Sequence, residues 1–433
     1  LLPVDDELMK NYQDLQARLE EQVEAAEDTE DTVAAEETAD ADATAEPTAE
    51  PVTQEQVDEA KAAILASIAD KIDEIYAKID KILLPKDYIR YKLSGEFATE
   101  VSDAAGMQLM DIPNRCWSDE VLTKLHIDRS LLGKMYESPD VTGTVTRQAA
   151  ELTGLSVGTV VVGGAGDNPA AAVGTGIVRA GKAFTTIGSS AVVYAVSDTV
   201  SIDLQGRVHT LCASVPGKWT VMSCTQAAGL SLKWLRDTCC SEEVLKAKEA
   251  GVDPYVIMDQ LAVEAGIGAD GLLYLPYLLG ERSPRWNKDA RGAFVGLSVT
   301  STKAEILRSV LEGVGYNLKI ILDILDKSIP IEEVTVIGGG ARSAVWMQIL
   351  ADIWQKPVAV PRYLEEATSI GAAVCAGVGV GAFESFDVID QINATQTILQ
   401  PNPENAAIYE KLFAAFDTAY TGLLSTYDEL AKI

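Results

Sequence analysis

Val160-Val161-Val162-Gly163-Gly164-Ala165-Gly166-Asp167-Asn168-Pro169 runs from an apolar, β-branched stretch through a glycine-rich turn to an acidic residue and a helix start. Pro169 suits the first helical position and Asn168 suits the cap. Asp167 would then face the positive end of the helix dipole, which favours its ionised form. An ionised carboxylate on a glycine-cleared loop can act as a general base. It can equally share the capping duty with Asn168, and these residues alone leave both readings open.

Outward from this stretch, strand-like runs alternate with glycine turns and helix patterns. Strands are predicted over 159–162, 183–187, 191–196, 207–212, 219–223, 272–274 and 334–337. Hairpins and βα units interleave, which predicts an α/β protein whose sheet is neither purely parallel nor purely antiparallel. Gly188, Ser189 and Ser190 join two of these strands in a small polar turn. Such a turn can aim N–H groups and hydroxyls at a phosphate, or simply reverse the chain. Gly338, Gly339, Gly340 and Ala341 follow another strand and precede a helix expected to begin near Ser343. Without a β-carbon, this backbone lets a flat ligand such as a purine or ribose lie against it. The stretch from Gly176 to Lys182 has P-loop spacing, but Ala183 stands where a Ser or Thr must reach magnesium. A helix precedes it and a strand follows, the reverse of the required order, so Gly181-Lys182 reads as a turn entering a strand.

The 433 residues suggest about three folding units. No apolar run approaches the roughly 20 residues of a spanning helix, so no membrane partner is expected. The net charge of −30 repels phosphodiester backbones and argues against nucleic acid. With His126 and His209 as the two histidines, a three-histidine metal centre is excluded. Six cysteines without Cys-x-x-Cys spacing fit reduced thiols and a cytoplasmic location. Residues 1–80 carry a net charge of −19, and 21–55 are almost wholly Glu, Asp, Ala and Thr. Residues 1–56 are therefore expected to be an acidic, low-complexity, disordered segment. From Val57, isoleucines at 64, 68, 72, 75, 79 and 82 predict an amphipathic helix that Pro85 ends.

Taken together, the chain resembles the FGGY carbohydrate kinases. The likeness begins near Ile75 and continues to the C-terminal helix. Its most specific stretch is Gly292-Ala293-Phe294-Val295-Gly296-Leu297, followed after seven residues by Glu305-Ile306-Leu307-Arg308-Ser309-Val310-Leu311-Glu312. The resemblance implies actin-like (ribonuclease H-like) ATPase lobes with mixed sheets flanked by helices. Residues 57–170 would hold a helix and the remainder of the N-terminal lobe, and 171–433 the C-terminal ATP-binding lobe. It implies Asp167 as catalytic base, with Asn168 beside it near the sugar. It places Gly188, Ser189 and Ser190 in a phosphate loop and Gly339, Gly340 and Ala341 in an adenosine motif. The loop from Glu281 to Trp286 would line the cleft near the nucleotide.

The implied partners are ATP, Mg2+ and a small sugar, and the expected assembly is a homodimer. The segment through Arg207, His209, Trp219, Gln226, Leu230, Lys233 and Trp234 resembles the branch acting on D-xylulose, although Trp219 and Trp234 also read as ordinary core. The expected reaction is ATP-dependent conversion of D-xylulose to D-xylulose 5-phosphate. Alternatives are glycerol, gluconate or another pentulose as acceptor, or a non-catalytic nucleotide-binding remnant. Family members open with an Asp-x-Gly-Thr phosphate loop, and residues 1–80 contain none. The first lobe is thus expected to be incomplete and the activity impaired. Smaller departures are Pro169 where Ala is commoner and Ser189-Ser190-Ala191 where Thr-Ser-Gly is usual.

Overall fold

The computed structural model describes residues 9–14, 16–18 and 53–433. The predicted disorder of 1–56 therefore lies largely outside the described residues. The chain divides into two units, 1–82 and 83–433.

In the first unit, Thr53 caps helix α1 (Gln54–Tyr76) through a capping box with Gln56. Val57, Ala60 and Ile64 are buried, whereas Ile72 and Ile75 are 45% exposed. The isoleucine stripe thus loses its packing partway along. Past Ile75 the backbone tightens to i→i+3 bonds, from Lys78 N–H to Ile75 and from Ile79 N–H to Tyr76. The helix ends at Tyr76, short of Ile79 and Ile82. Nor does Pro85 close it: Pro85 opens the next helix, α2 (Pro85–Ser94), at a first-turn position where a missing N–H costs nothing.

In the second unit, β1 (Ala98–Glu100) pairs in parallel with β2 (Lys134–Tyr136), and β3 (Val141–Thr144) pairs antiparallel with β4 (Val160–Val162). Helix α3 (Asp167–Gly174) follows. The main sheet then takes β5 (Lys182–Ile187), β6 (Ala191–Ser197), β7 (His209–Cys212) and β8 (Trp219–Thr225). After α4 (Gly229–Cys239), α5 (Pro254–Glu264), the hairpin of β9 (Leu273–Leu275) and β10 (Ala293–Val295), and α6 (Lys303–Asp326), the chain re-enters that sheet. It does so with β11 (Glu333–Ile337), α7 (Ala344–Trp354), β12 (Val358–Pro361), α8 (Ala367–Gly379) and β13 (Thr395–Leu399); α9 (Ala406–Leu430) closes the chain. The seven-stranded order is β13-β12-β11-β5-β6-β8-β7. Pairs β5/β11 and β11/β12 are parallel and the others antiparallel, the mixed sheet expected from sequence.

Both faces of this sheet are covered. Ala183, Ile187, Ala191, Val193 and Ala195 face a core that includes α6, α7 and α9, while Phe184, Tyr194 and Val196 face α3 and the start of α8. Alternate residues thus serve opposite cores, which is why the strands read as apolar throughout. The Ser343 side chain accepts from Trp346 N–H and caps α7, which begins at Ala344, close to the start near Ser343 expected from sequence. Among the described residues, no helix is long and apolar enough to cross a membrane.

Candidate active site

Strands β5 and β11 are parallel neighbours in register from Glu333↔Lys182 to Ile337↔Thr186, so both chains leave the sheet at the same edge. That register brings the turn at Gly188, Ser189 and Ser190 against the turn at Gly338–Ala341, although about 150 residues separate them in sequence. At Gly338 φ is +84°, and a β-carbon would stand 2.8 Å from the Ile187 carbonyl oxygen. One on Gly340 would stand 2.5 Å from Ile187 Cγ2. Both glycines are thus required by the close approach of the two turns. Gly339 differs: a β-carbon there meets nothing within 4 Å. Gly339 and Gly340 both border a cavity at this junction; the close approach of the turns accounts for the missing side chains at Gly338 and Gly340, and open space for that at Gly339. Gly340→Ala is expected to lower stability by about 1–3 kcal/mol, read as a lower urea midpoint at unchanged slope.

A cavity of about 440 Å3 opens at this junction, floored by Ile187, Gly188, Ser189, Gly339 and Gly340. Leu230, Leu232 and Lys233 of α4 and Tyr255, Val256 and Asp259 of α5 form its far wall, with Arg342, Ser343 and Trp346 beside them. The Gly188 carbonyl accepts from Gly229 N–H at 2.9 Å, and the Ser189 carbonyl accepts from Ala228 and Leu230 N–H at 2.9 and 3.1 Å. The loop carbonyls are thereby turned toward the start of α4, while Ser189 and Ser190 stay exposed. Ser190 and Ala341 do not line the cavity; the Ala341 side chain is buried in the main core.

Asp167 and Asn168 lie on other elements and outside this cavity's lining. The helix begins two residues earlier than expected: Gly166 is the cap, Asp167 the first helical residue and Pro169 the third. Pro169 is still tolerated, because the first turn leaves its N–H groups without intrahelical acceptors. Asp167 is exposed, and its Oδ1 accepts from Asn168 N–H at 2.7 Å and from Asn168 Nδ2 at 3.1 Å.

The turn carrying Asp167 is pinned from beneath. Arg90 donates to the Gly163 carbonyl at 2.8 Å, Gly164 N–H donates to the Ser138 carbonyl at 2.9 Å, and Gly166 N–H donates to Ser102 Oγ at 3.2 Å. Glu100, fully buried, accepts from Ser102 N–H at 2.7 Å, Ser138 Oγ at 2.6 Å and Lys86 Nζ at 2.9 Å. Lys86 also reaches Asp103 at 3.6 Å. Arg90 pairs with Asp87, whose carboxyl burial pushes upward and Thr99 pulls back. Sequence reasoning gave these residues no role, because their partners lie up to 73 positions away.

Glu281, 4% exposed, is held by Gln226 N–H at 3.0 Å, Arg282 N–H at 2.8 Å and Asn317 Nδ2 at 2.7 Å. Burial raises its pKa. It anchors the loop expected to line the cleft, and with Gln226, Arg282 and Trp286 it borders a second cavity of about 430 Å3. Trp219 and Trp234 are half-buried; the Trp219 indole donates to the Ile112 carbonyl at 3.0 Å.

The comparisons with known proteins agree with this architecture. Residues 50–174 match the model of the N-terminal domain of the FGGY family of carbohydrate kinases, and 183–380 match its C-terminal domain. A xylulose kinase of Escherichia coli K12 is 36% identical over 353 residues, covering 81% of this chain and 70% of the relative. A gluconokinase of Bacillus licheniformis is 32% identical, covering 84% of this chain and 71% of the relative. The solved xylulose kinase of Rhodospirillum rubrum superposes with a TM-score of 0.72 at 30% identity, covering 86% of this chain and 71% of that one. With both domain models matched in order and the two glycine turns meeting at one edge of a mixed, doubly covered sheet, the chain belongs to the FGGY family of carbohydrate kinases, enzymes that phosphorylate a sugar hydroxyl.

Proposed function

We propose that this chain phosphorylates D-xylulose to D-xylulose 5-phosphate using MgATP, in the cytoplasm, with Asp167 as the general base. The observation that carries the nucleotide half is the cavity bounded by both glycine turns, whose floor at Gly339 is bare of side chains. The sugar half draws support from the two xylulose kinases, of Escherichia coli and Rhodospirillum rubrum.

Bound MgATP supplies the phosphoryl group and a metal to neutralise its charge. Ser189 would donate its hydroxyl to a phosphate oxygen, with Ser190 beside it at the exposed turn, and the backbone at Gly339 and Gly340, leading into Ala341, would support the adenosine. Asn168 holds Asp167 through Oδ1, so Oδ2, which takes part in neither of those bonds, accepts the proton of the attacking sugar hydroxyl. When transfer is loose, that proton leaves late and an ordinary carboxylate suffices. Glu100, Ser102 and Arg90 keep the turn in place.

The test is ADP release across a panel of sugars, beside thermal unfolding with and without MgATP. D-xylulose is expected to give the highest rate, and MgATP at 100 times its Kd to stabilise the fold by about 2.7 kcal/mol. The likeness to a gluconokinase favours gluconate as the second reading. A higher rate with gluconate would replace D-xylulose, and ADP release that ignores every sugar would remove the kinase assignment.

A further inference from the structure

The charged and phenolic side chains around the nucleotide cavity are engaged elsewhere, with one exception. Lys233 donates to Asp237 at 2.6 Å, Arg342 pairs with Glu365, and Asp253 caps α5 by accepting from Tyr255 N–H at 2.9 Å. The Tyr255 hydroxyl accepts from Arg236 at 3.1 Å. Asp259 is the exception: half-buried on α5, it faces the cavity and makes no ion pair among the described residues. The Ser343 hydroxyl is the neighbour that favours its charged form, against burial, which disfavours it.

A desolvated acceptor with too few donors is costly until a ligand supplies them. Two carboxylate oxygens are matched by two O–H donors side by side, the arrangement of a vicinal diol. An adenine edge fits less well, because its amine stands next to a ring nitrogen whose lone pair the carboxylate would repel. The other groups in this wall, Leu230, Leu232 and Val256, offer an apolar face to a base.

We propose that Asp259 is the ribose-reading residue of this cavity, its carboxylate accepting hydrogen bonds from the 2′- and 3′-hydroxyls of the nucleotide. The inference rests on the nucleotide reading of the cavity and not on the identity of the sugar acceptor. It makes the cavity selective for ribonucleotides through a group that comes from neither glycine turn.

The test is calorimetric binding of ATP, 2′-deoxy-ATP and 3′-deoxy-ATP, each with Mg2+, to the full chain and to Asp259→Ala, with no sugar present. In the native chain, loss of either hydroxyl is expected to weaken binding about tenfold or more. In Asp259→Ala the three nucleotides should bind within about threefold of one another. If that variant does not fold, Asp259→Asn, of equal size, carries the same comparison. Equal binding of all three by the native chain, or discrimination that survives the substitution, overturns the assignment. With ITP measured beside ATP, a variant whose preference changes only between those two also overturns it, since Asp259 would then read the base. A native chain that binds ATP but shows no such coupling loses only this inference; one that binds no nucleotide loses the kinase reading as well.

Discussion

Asp167→Ala is expected to lower kcat with D-xylulose by about 10²–10⁴ while leaving MgATP affinity largely intact. Two structural facts separate these effects. Asp167 is exposed at the first position of α3, so its truncation opens no core cavity. It also lies outside the lining of the cavity between the two glycine turns. What the substitution removes is the proton acceptor, together with the anchor for two bonds from Asn168. Asp167→Asn keeps the shape and should lose nearly as much, because an amide is a far poorer base. The comparison is steady-state turnover beside calorimetric Kd for MgATP, and near-normal turnover in both variants would show that the base lies elsewhere.

Glu312→Ala is expected to cost about 3–5 kcal/mol of stability, a large part of the roughly 5–15 kcal/mol that holds a domain. Glu312 is 1% exposed and accepts from Arg308 Nε at 2.8 Å, Tyr409 Oη at 2.9 Å and Gly268 N–H at 3.0 Å. Arg308, 8% exposed, also reaches the Ala265 carbonyl and the Tyr409 hydroxyl. Removing the carboxylate strands a buried guanidinium and leaves a backbone N–H without its acceptor. Burial raises the pKa of Glu312, and Arg308 pulls it back. Breaking one side is what costs. Urea unfolding measures it, and a midpoint within experimental error of the native chain would contradict the account.

That pair also shows what kind of information the sequence carried. Arg308 and Glu312 lie in the stretch most diagnostic of the family, yet they tie α6 to the loop before β9 and to α9 and touch none of the candidate site residues. The signature is legible as a string because it is local; its physical role needs Tyr409, 97 residues further on. The strands of the main sheet from β5 to β8, and β11, could be read from apolar alternation and glycine turns. Strands β12 and β13 were missed. Val358–Pro361 is short and ends in proline, and Thr395–Leu399 is mostly exposed, so neither has a strong period-two pattern.

The candidate site was legible in its parts and not in its assembly. The turns after β5 and β11 were each visible as glycine-rich interruptions, but only strand register makes them neighbours, and only their contact explains why Gly338 and Gly340 cannot carry a side chain. Asp259 gave no signal because a lone aspartate in a helix looks like any solvated residue. Lys86, Glu100 and Ser102 were hidden for the same reason: their meaning is tertiary. The helix limits at Tyr76 and Gly166 were missed by a few residues because caps and packing decide ends that periodicity leaves open.

Gly339 offers the most direct check on the nucleotide site, since its added side chain would meet open space rather than protein. Calorimetry of MgATP binding should be run on the native chain and on Gly339→Val, with unliganded thermal unfolding measured for both. The account predicts a native chain that binds, and a variant with the same unliganded Tm that does not. A variant that binds MgATP as tightly as the native chain would contradict it.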